Sequence, residues 1–297
     1  TSIGWLIGRT ICYGPEDIAN IYKLQNAMET KTLSVWLTGG EMPKGTYDPD
    51  KEGIPIMLAM KLSPNAYFER VNRLLNDNPA YPEDGELLSE LAELGIGAGC
   101  CFNSSLSPVD LEKFWQEMKN SLLPKLIEET SCFMVRNGNF KFYGEPISRF
   151  GTQYGYRCLV AIAGFGANPV DVAVYLKAEE DDKGEKLDAK NRYLLHFNAD
   201  GLPPVEKHGF WSITAYGDDD FLISNPIERY AISNRNDFRL NDDNSLDLIL
   251  QTEEPNENRE NWLPVGERGF HLYLRIYRPG NSVLNGTWKA PKITKID

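Results

Sequence analysis

The second half of the chain alternates apolar and polar residues with a period of two, the pattern of strands that bury one face. The clearest example is the segment 209–230. Gly217 ends its first run, aspartates at 218–220 follow as a turn, and Asn225-Pro226 marks a second bend. The predicted faces of the first run are Trp211, Ile213 and Ala215 on one side and Phe210, Ser212, Thr214 and Tyr216 on the other.

Further strands are predicted on both sides of this segment, at residues 171–178, 192–197 and 270–277. Hairpins are predicted at 136–143, around Asn137-Gly138, and at 238–250, with a turn at 242–245. In the last strand, the core side carries Phe270, Leu272, Leu274 and Ile276, and the opposite side carries His271, Tyr273, Arg275 and Tyr277.

The first half has a helical pattern instead, and three helices are predicted to begin at Pro15, Pro64 and Pro108. The third is expected to be the longest and to kink or end near Pro124. Shorter helices are predicted at 86–94, closed by Gly95, and at 154–163. The Gly- and Pro-rich stretch 39–55 is expected to be an ordered loop that covers the core. The stripe expected to be buried in the third helix is Leu111, Phe114, Trp115 and Met118.

These patterns predict an α+β protein with a helical N-terminal half packed on an antiparallel, jelly-roll-like β-sandwich. The expected domains are residues 1–132, mainly helical, and residues 133–297, rich in strands. A chain of 297 residues is long enough for such a core.

The net charge and the apolar runs exclude two classes of partner, and the cysteine content bears on metal sites and disulfides. The net charge is −12 with a pI of about 4.9, which argues against nucleic acid as a partner, and the absence of an apolar run of about 18 residues argues against membrane insertion. Five cysteines without metal-site spacing are expected to be reduced thiols. The start at Thr1 suggests a processed or trimmed precursor.

Several motifs with known chemistry are better explained structurally. The glycines of 95–99 follow a helix, where a dinucleotide fingerprint would follow a strand. The aspartates at 218–220 could offer one or two calcium ligands, but a solvated turn is the simpler interpretation. Three histidines without HxH or HExxH spacing leave no predicted metal site, and no cofactor is predicted. His196 is interpreted as a hydrogen-bonded core residue.

Two hypotheses for a functional site remain. The first is a binding face made by His271, Tyr273, Arg275 and Tyr277, since arginine beside tyrosines can hold a carboxylate, a phosphate or a sugar. The same residues could equally form a solvated sheet face. The second is a hydrolase that combines His208 or His271 with Asp218 and with Arg229 or Arg275. A binding or assembly (structural) protein is slightly favoured over the hydrolase, and its expected partner is a small molecule, a glycan or a second copy of the chain.

Short motifs across the chain resemble the paired families known as domains of unknown function 1254 and 1214. The C-terminal motifs are RYLLHF at 192–197, LPPV at 202–205, FWSIT at 210–214, NPIERY at 225–230, NWLP at 261–264 and WKAPKI at 288–293. Weaker matches at 14–17, 151–154 and 166–169 extend the resemblance to nearly the whole chain.

The resemblance implies a jelly-roll-like C-terminal domain and a secreted or periplasmic protein. It also implies a further upstream β domain, which this chain is expected to lack because it begins inside the first family region. It brings no settled activity, and no catalytic residue is carried over from it.

Overall fold

The computed structural model describes residues 6–42, 44, 45, 53 and 55–296. The chain divides into two compact units, Thr1–Lys119 and Asn120–Asp297. Most of the predicted loop at 39–55 lies outside the described residues. No helix in the described ranges is long and apolar enough to cross a membrane.

The described part of the first unit is helical. Ser63 and Ser107 cap the helices that begin at Pro64 and Pro108, because their Oγ atoms accept hydrogen bonds from the backbone N–H groups of Ala66 and Asp110. Pro15 opens a 3₁₀ turn, Pro15–Asp17, rather than the α-helix itself. The helices are α1 (Ile18–Asn26), α2 (Leu33–Thr38), α3 (Pro55–Met60), α4 (Pro64–Asp77), α5 (Gly85–Ala92) and α6 (Pro108–Glu117).

Two expectations for the third predicted helix, α6, need correction. It is shorter than α4, because a π-helical turn, Met118–Leu122, interrupts it before Pro124. Leu111 and Trp115 are buried as expected, and the Trp115 indole donates to the Leu62 carbonyl. Phe114, however, is 48% exposed, so the buried stripe is narrower than the sequence predicts.

The glycine cluster at 95–99 is a structural loop after α5. Gly95 has a φ of +72°, and a Cβ there would lie 2.2 Å from the Cys101 carbonyl oxygen. The buried Asn72 side chain donates to the Gly95 carbonyl and accepts from the Gly97 backbone, both at 2.8 Å. These bonds satisfy the loop's backbone from within the protein, so the turn needs no bound phosphate to hold it.

The second unit contains two sheets and three helices within the described residues. The helices are α7 (Leu123–Glu129), α8 (Tyr154–Ala163) and α9 (Asn281–Leu284). The strands are β1 (Met134–Asn137), β2 (Phe140–Tyr143), β3 (Ala173–Ala178), β4 (Arg192–Phe197), β5 (Val205–Gly217), β6 (Ala231–Ser233), β7 (Leu246–Gln251), β8 (Trp262–Pro264), β9 (Phe270–Pro279) and β10 (Ile293–Ile296).

The larger sheet is antiparallel, with the order β1-β2-β3-β9-β5-β6. The smaller has the order β10-β4-β7-β8, and β8 runs parallel to β7. One apolar cluster contains side chains of both sheets, such as Leu274 from β9 and Leu248 from β7. The sheets therefore share one core, and the predicted α+β class is confirmed.

The predicted hairpin at 238–250 is wrong in its first half. The turn at 242–245 and strand β7 are present, but residues 238–240 form no strand. The buried Asn261 side chain instead bonds both backbone groups of Arg239, donating to its carbonyl at 2.7 Å and accepting from its N–H at 3.0 Å. A side chain thus replaces the strand partner that the sequence pattern suggested.

Candidate functional site

The outer face of β9 is the place where polar and aromatic side chains converge. Strand β9 lies between β3 and β5, so its outward residues have neighbours on both sides. Tyr273 lies opposite Lys177 of β3 and Thr214 of β5, and His271 lies opposite Tyr216 of β5. We call the cluster of Lys177, Tyr216, His271, Tyr273 and Arg275 the Tyr273 site.

Arg275 is held by tyrosines rather than by a carboxylate. Its Nη2 donates to the Tyr216 hydroxyl at 2.9 Å, and its guanidinium carbon lies 5.3 Å from the Tyr216 ring centre and 4.9 Å from that of Tyr273. No carboxylate among the described residues forms an ion pair with it. Most of the five guanidinium N–H donors therefore remain available.

Lys177, by contrast, is neutralised. Glu179 bridges two lysines, with its oxygens 3.0 Å from Lys177 Nζ and 2.5 Å from Lys141 Nζ. These contacts lower the pKa of Glu179 to about 2, with the hydrogen bond from Lys141 as the largest cause. Lys177 Nζ also lies 5.9 Å from the Tyr273 ring centre, so the lysine adds positive potential at the site without being a free cation.

His271 is the most deeply buried member of the Tyr273 site, with its side chain only 8% exposed. Its ring stacks on Tyr216, at 5.8 Å and 15°, and meets Tyr273 edge-on at 5.7 Å. Its Nε2 lies 3.2 Å from Asp220 Oδ1, but without the alignment of a hydrogen bond, so this buried nitrogen has no hydrogen-bond partner among the described residues. Burial, together with the charge of Lys177, lowers the pKa of His271.

Tyr273 is half-buried at the centre of the cluster. Burial raises the pKa of its hydroxyl, against the opposing effect of Lys177, so the phenol stays protonated and can donate a hydrogen bond.

Tyr277, the fourth residue of the predicted binding face, belongs to a different group. Its ring stacks on Phe210 at 4.6 Å and 13°, and Tyr175 meets it edge-on. The Arg235 guanidinium lies over the Phe210 ring at 4.6 Å. Phe210 is thus covered by both Tyr277 and Arg235, and this aromatic group offers little open ring surface to a ligand.

The structure does not bring together the other predicted trio. His208 is exposed, has a φ of +67° and lies in the bulge of β5, where Gly209 leaves no room for a Cβ beside the Tyr277 carbonyl. Asp218 lies in the turn beyond the other end of the same strand, roughly 30 Å away at about 3.3 Å per residue. Arg229 Nη1 donates to the carbonyls of Arg259 and Trp262 at 2.7 and 2.8 Å, and burial lowers its pKa. It therefore ties a loop to β8.

An open cavity of about 440 Å³ lies beside the turn that carries Asp220. Its walls are the segments 217–219 and 221–224 on one side and 265–269 on the other. The lining includes apolar side chains such as Leu222 and Val265 and the charged residues Asp218, Glu267 and Arg268. Neither this cavity nor any other part of the described ranges has a group of three His, Cys, Asp or Glu side chains that could hold a metal ion.

His196 corrects an expectation. It is exposed on the outer side of the smaller sheet rather than in the core, and its Nδ1 lies 2.6 Å from Asp247 Oδ1 on the neighbouring strand.

Sequence reasoning found His271, Tyr273 and Arg275 but missed Lys177, Tyr216 and Glu179 as their neighbours. Only the alternation of each strand was visible, and it placed Tyr216 correctly on the outward face of β5. The register that sets it opposite His271 has no signal in a single sequence.

The strands of the Tyr273 site lie in a part of the chain that matches a known protein family. Residues 172–281 match the family model described as "Protein of unknown function (DUF1214)", and every residue of the site lies within this range. The resemblance to family 1214 is thereby confirmed for this stretch. None of the curated proteins matches the chain.

Comparison with solved structures finds two crystal structures. The chain is similar to the VPA0106 protein from Vibrio parahaemolyticus, with 23% identity and a TM-score of 0.67 over 97% of this chain and 67% of that one. An uncharacterised protein from Burkholderia cenocepacia matches with 13% identity and a TM-score of 0.32, over 66% of this chain and 46% of that one. The first similarity supports the fold alone.

Proposed function

We propose that this protein binds a small anionic molecule at the Tyr273 site and that it acts by binding rather than by catalysis. Arg275 carries the proposal, because it is a guanidinium with free N–H donors and with no carboxylate partner among the described residues. Its planar fork matches the two oxygens of a carboxylate.

The contacts around Arg275 prepare it for a ligand. The Tyr216 hydroxyl and two tyrosine rings restrict the side chain, so less rotamer entropy is lost when an anion binds. The Tyr273 hydroxyl is a further neutral donor beside the guanidinium. Cation–π contact leaves the positive charge of Arg275 available to a ligand, whereas an ion pair would cancel it.

Arg275 itself is the charge that attracts an anion. The lysines Lys141 and Lys177 are balanced by the nearby carboxylates of Glu179, Asp218 and Asp220. A neutral glycan is less favoured, since stacking on sugar rings needs open aromatic faces and Phe210 is covered.

Carboxylate binding can be tested by titrating the purified protein with butanoate and benzoate, followed by NMR chemical shifts. Arg275→Gln is expected to weaken binding by about tenfold or more, since a hydrogen bond to a charged group contributes about 1.5–3 kcal/mol. The matched control is Arg278→Gln, which removes the same charge from an exposed position of the same strand. Equal affinities for wild type and Arg275→Gln would refute the proposal.

A hydrolase is the second candidate, favoured by the 3.2 Å approach of His271 Nε2 to Asp220 Oδ1 on the face that carries Arg275. A histidine whose pKa is lowered by burial is neutral at pH 7 and can act as a base. On this hypothesis the protein hydrolyses a carboxylic ester such as 4-nitrophenyl acetate, and His271→Gln abolishes turnover. Binding without turnover favours the first proposal.

Two proposals from the sequence accompany this function. One is self-association, supported by exposed apolar side chains such as Ile18, Tyr22 and Trp36 on α1 and α2. The other is that residues 1–132 are the end of a family 1254 domain and a connector, and that residues 133–297 form the second domain. A secreted or periplasmic location goes with this family assignment. Sedimentation velocity would test the first of these.

A further inference from the structure

One polar atom of the Tyr273 site lacks a hydrogen bond. His271 Nε2 is fully buried, and although Asp220 Oδ1 lies 3.2 Å away, no residue in the described ranges forms an aligned hydrogen bond with it. Buried polar groups are nearly always paired, and an unpaired one destabilises the protein, so each exception calls for an explanation. A ligand group that reaches this nitrogen would satisfy it.

His271 and Arg275 are close enough to contact one small molecule. The Arg275 guanidinium carbon and the His271 ring centre lie 4.9 and 5.7 Å from the centre of the Tyr273 ring. Tyr216 also contacts both, through its hydroxyl and through its ring. Both side chains therefore contact the same two tyrosine rings and flank the space over Tyr273.

The charges around the site favour a ligand with a single negative charge. Glu179 already occupies the two lysines, which leaves Arg275 to bind a carboxylate. A second carboxylate on the ligand would meet the negative charges of Glu179 and Asp220.

A hydroxyl is the ligand group that best satisfies the His271 nitrogen. An ammonium group can only donate, so it fits only the tautomer in which Nε2 carries no proton, and a second carboxylate is disfavoured for the reason just given. A hydroxyl is neutral and can either donate to Nε2 or accept from it, so it fits both tautomers of the imidazole.

We therefore propose that the ligand class of the Tyr273 site is a hydroxylated monocarboxylate, with the carboxylate on Arg275 and the hydroxyl on His271. This inference rests on the proposed function, because it assumes that Arg275 binds an anion. It adds a specificity-determining role for His271.

The test compares butanoate with 2-, 3- and 4-hydroxybutanoate, which place the hydroxyl at increasing distances from the carboxylate. One of the hydroxy acids is expected to bind the wild type about tenfold more tightly than butanoate, the effect of one satisfied buried polar group. Butanedioate is expected to bind more weakly than butanoate.

Two variants assign the preference to His271. His271→Phe keeps a stacked ring without nitrogen and is expected to reduce the tenfold preference for the hydroxy acid over butanoate to about twofold or less. His271→Gln keeps a donor and an acceptor and is expected to retain part of the preference. Circular dichroism and the melting temperature establish that each variant is folded.

The outcomes separate this inference from the proposed function. If butanoate binds through Arg275 but hydroxylation brings no gain, or if the gain survives in His271→Phe, the inference is refuted and the proposed function stands. If no carboxylate binds the wild type, both are refuted.

Discussion

The inner face of strand β9 presents Phe270, Leu272, Leu274 and Ile276, each no more than 3% exposed, whereas the outer face presents His271, Tyr273, Arg275 and Tyr277. The inner residues are apolar and pack in the core shared by both sheets. On the outer face, His271 is nearly as buried, at 6% exposure, yet it is polar and lacks a hydrogen bond among the described residues. Burial on one face thus stabilises the fold, while burial on the other leaves a polar group without a hydrogen bond among the described residues.

The largest expected effect comes from the inner face. Leu274→Ala, at a position with 0% exposure, is expected to lower the free energy of unfolding by about 2–5 kcal/mol, since it removes buried methyl groups and leaves a cavity. Leu222→Ala, at a position with 50% exposure, is the control and is expected to change stability by less than about 0.5 kcal/mol. Urea denaturation measures both, and a loss below about 1 kcal/mol for Leu274→Ala would contradict the assigned core.

The same measurement on the outer face is expected to give a much smaller change. His271→Leu should leave the free energy of unfolding within about 1 kcal/mol of the wild type, because it replaces a buried nitrogen without a partner by an apolar group. A loss of more than about 2 kcal/mol would mean that His271 makes a stabilising hydrogen bond, and the two faces would then not differ as described.

The smallest expected effect concerns the edge of the site. The pKa of Glu179 in the folded state, about 2, is below its ordinary value. Its contribution to stability is therefore present above its unfolded pKa and is lost as the pH falls towards 2. Because the side chain is 40% exposed, screening reduces the contribution to about 0.5 kcal/mol.

Glu179→Gln tests this contribution. Between pH 5 and pH 2 the wild type should lose about 0.5 kcal/mol more of its unfolding free energy than the variant. Identical pH profiles would show that the bridge between Lys141 and Lys177 contributes no net stability. Lys113→Gln, which removes an exposed ion pair with Asp110, is the control with no expected change of profile.

Much of the second unit could be predicted because its signals are local. The alternation in β5 and β9 identified both faces of each strand, and the helix at 154–163 was found with the bounds of α8. The prediction of a hairpin at 238–250 was wrong in its first half, because the side chain of Asn261, distant in sequence, forms the hydrogen bonds of the Arg239 backbone. The burial of Phe114 was predicted wrongly, because helical periodicity identifies a face of the helix but not how much of that face is buried.

The candidate site was found only in part for the same reason. His271, Tyr273 and Arg275 share one strand, so a period of two was enough to place them on one face. Tyr277 follows the same alternation, yet its ring stacks on Phe210 of the neighbouring strand β5 and not on the residues of the Tyr273 site. His208 and Asp218 were paired because the sequence pattern did not show that one strand, Val205–Gly217, separates them.

By itself, the sequence determined the class of fold and the polar side of each central strand, because side-chain direction in a strand follows from backbone geometry within a few residues. Only the tertiary structure decided that Arg275 lies against Tyr216 and Tyr273, that Glu179 binds both lysines, and that His271 is buried without a partner. Those contacts depend on the register of β3, β9 and β5, which residues far apart in the chain establish together.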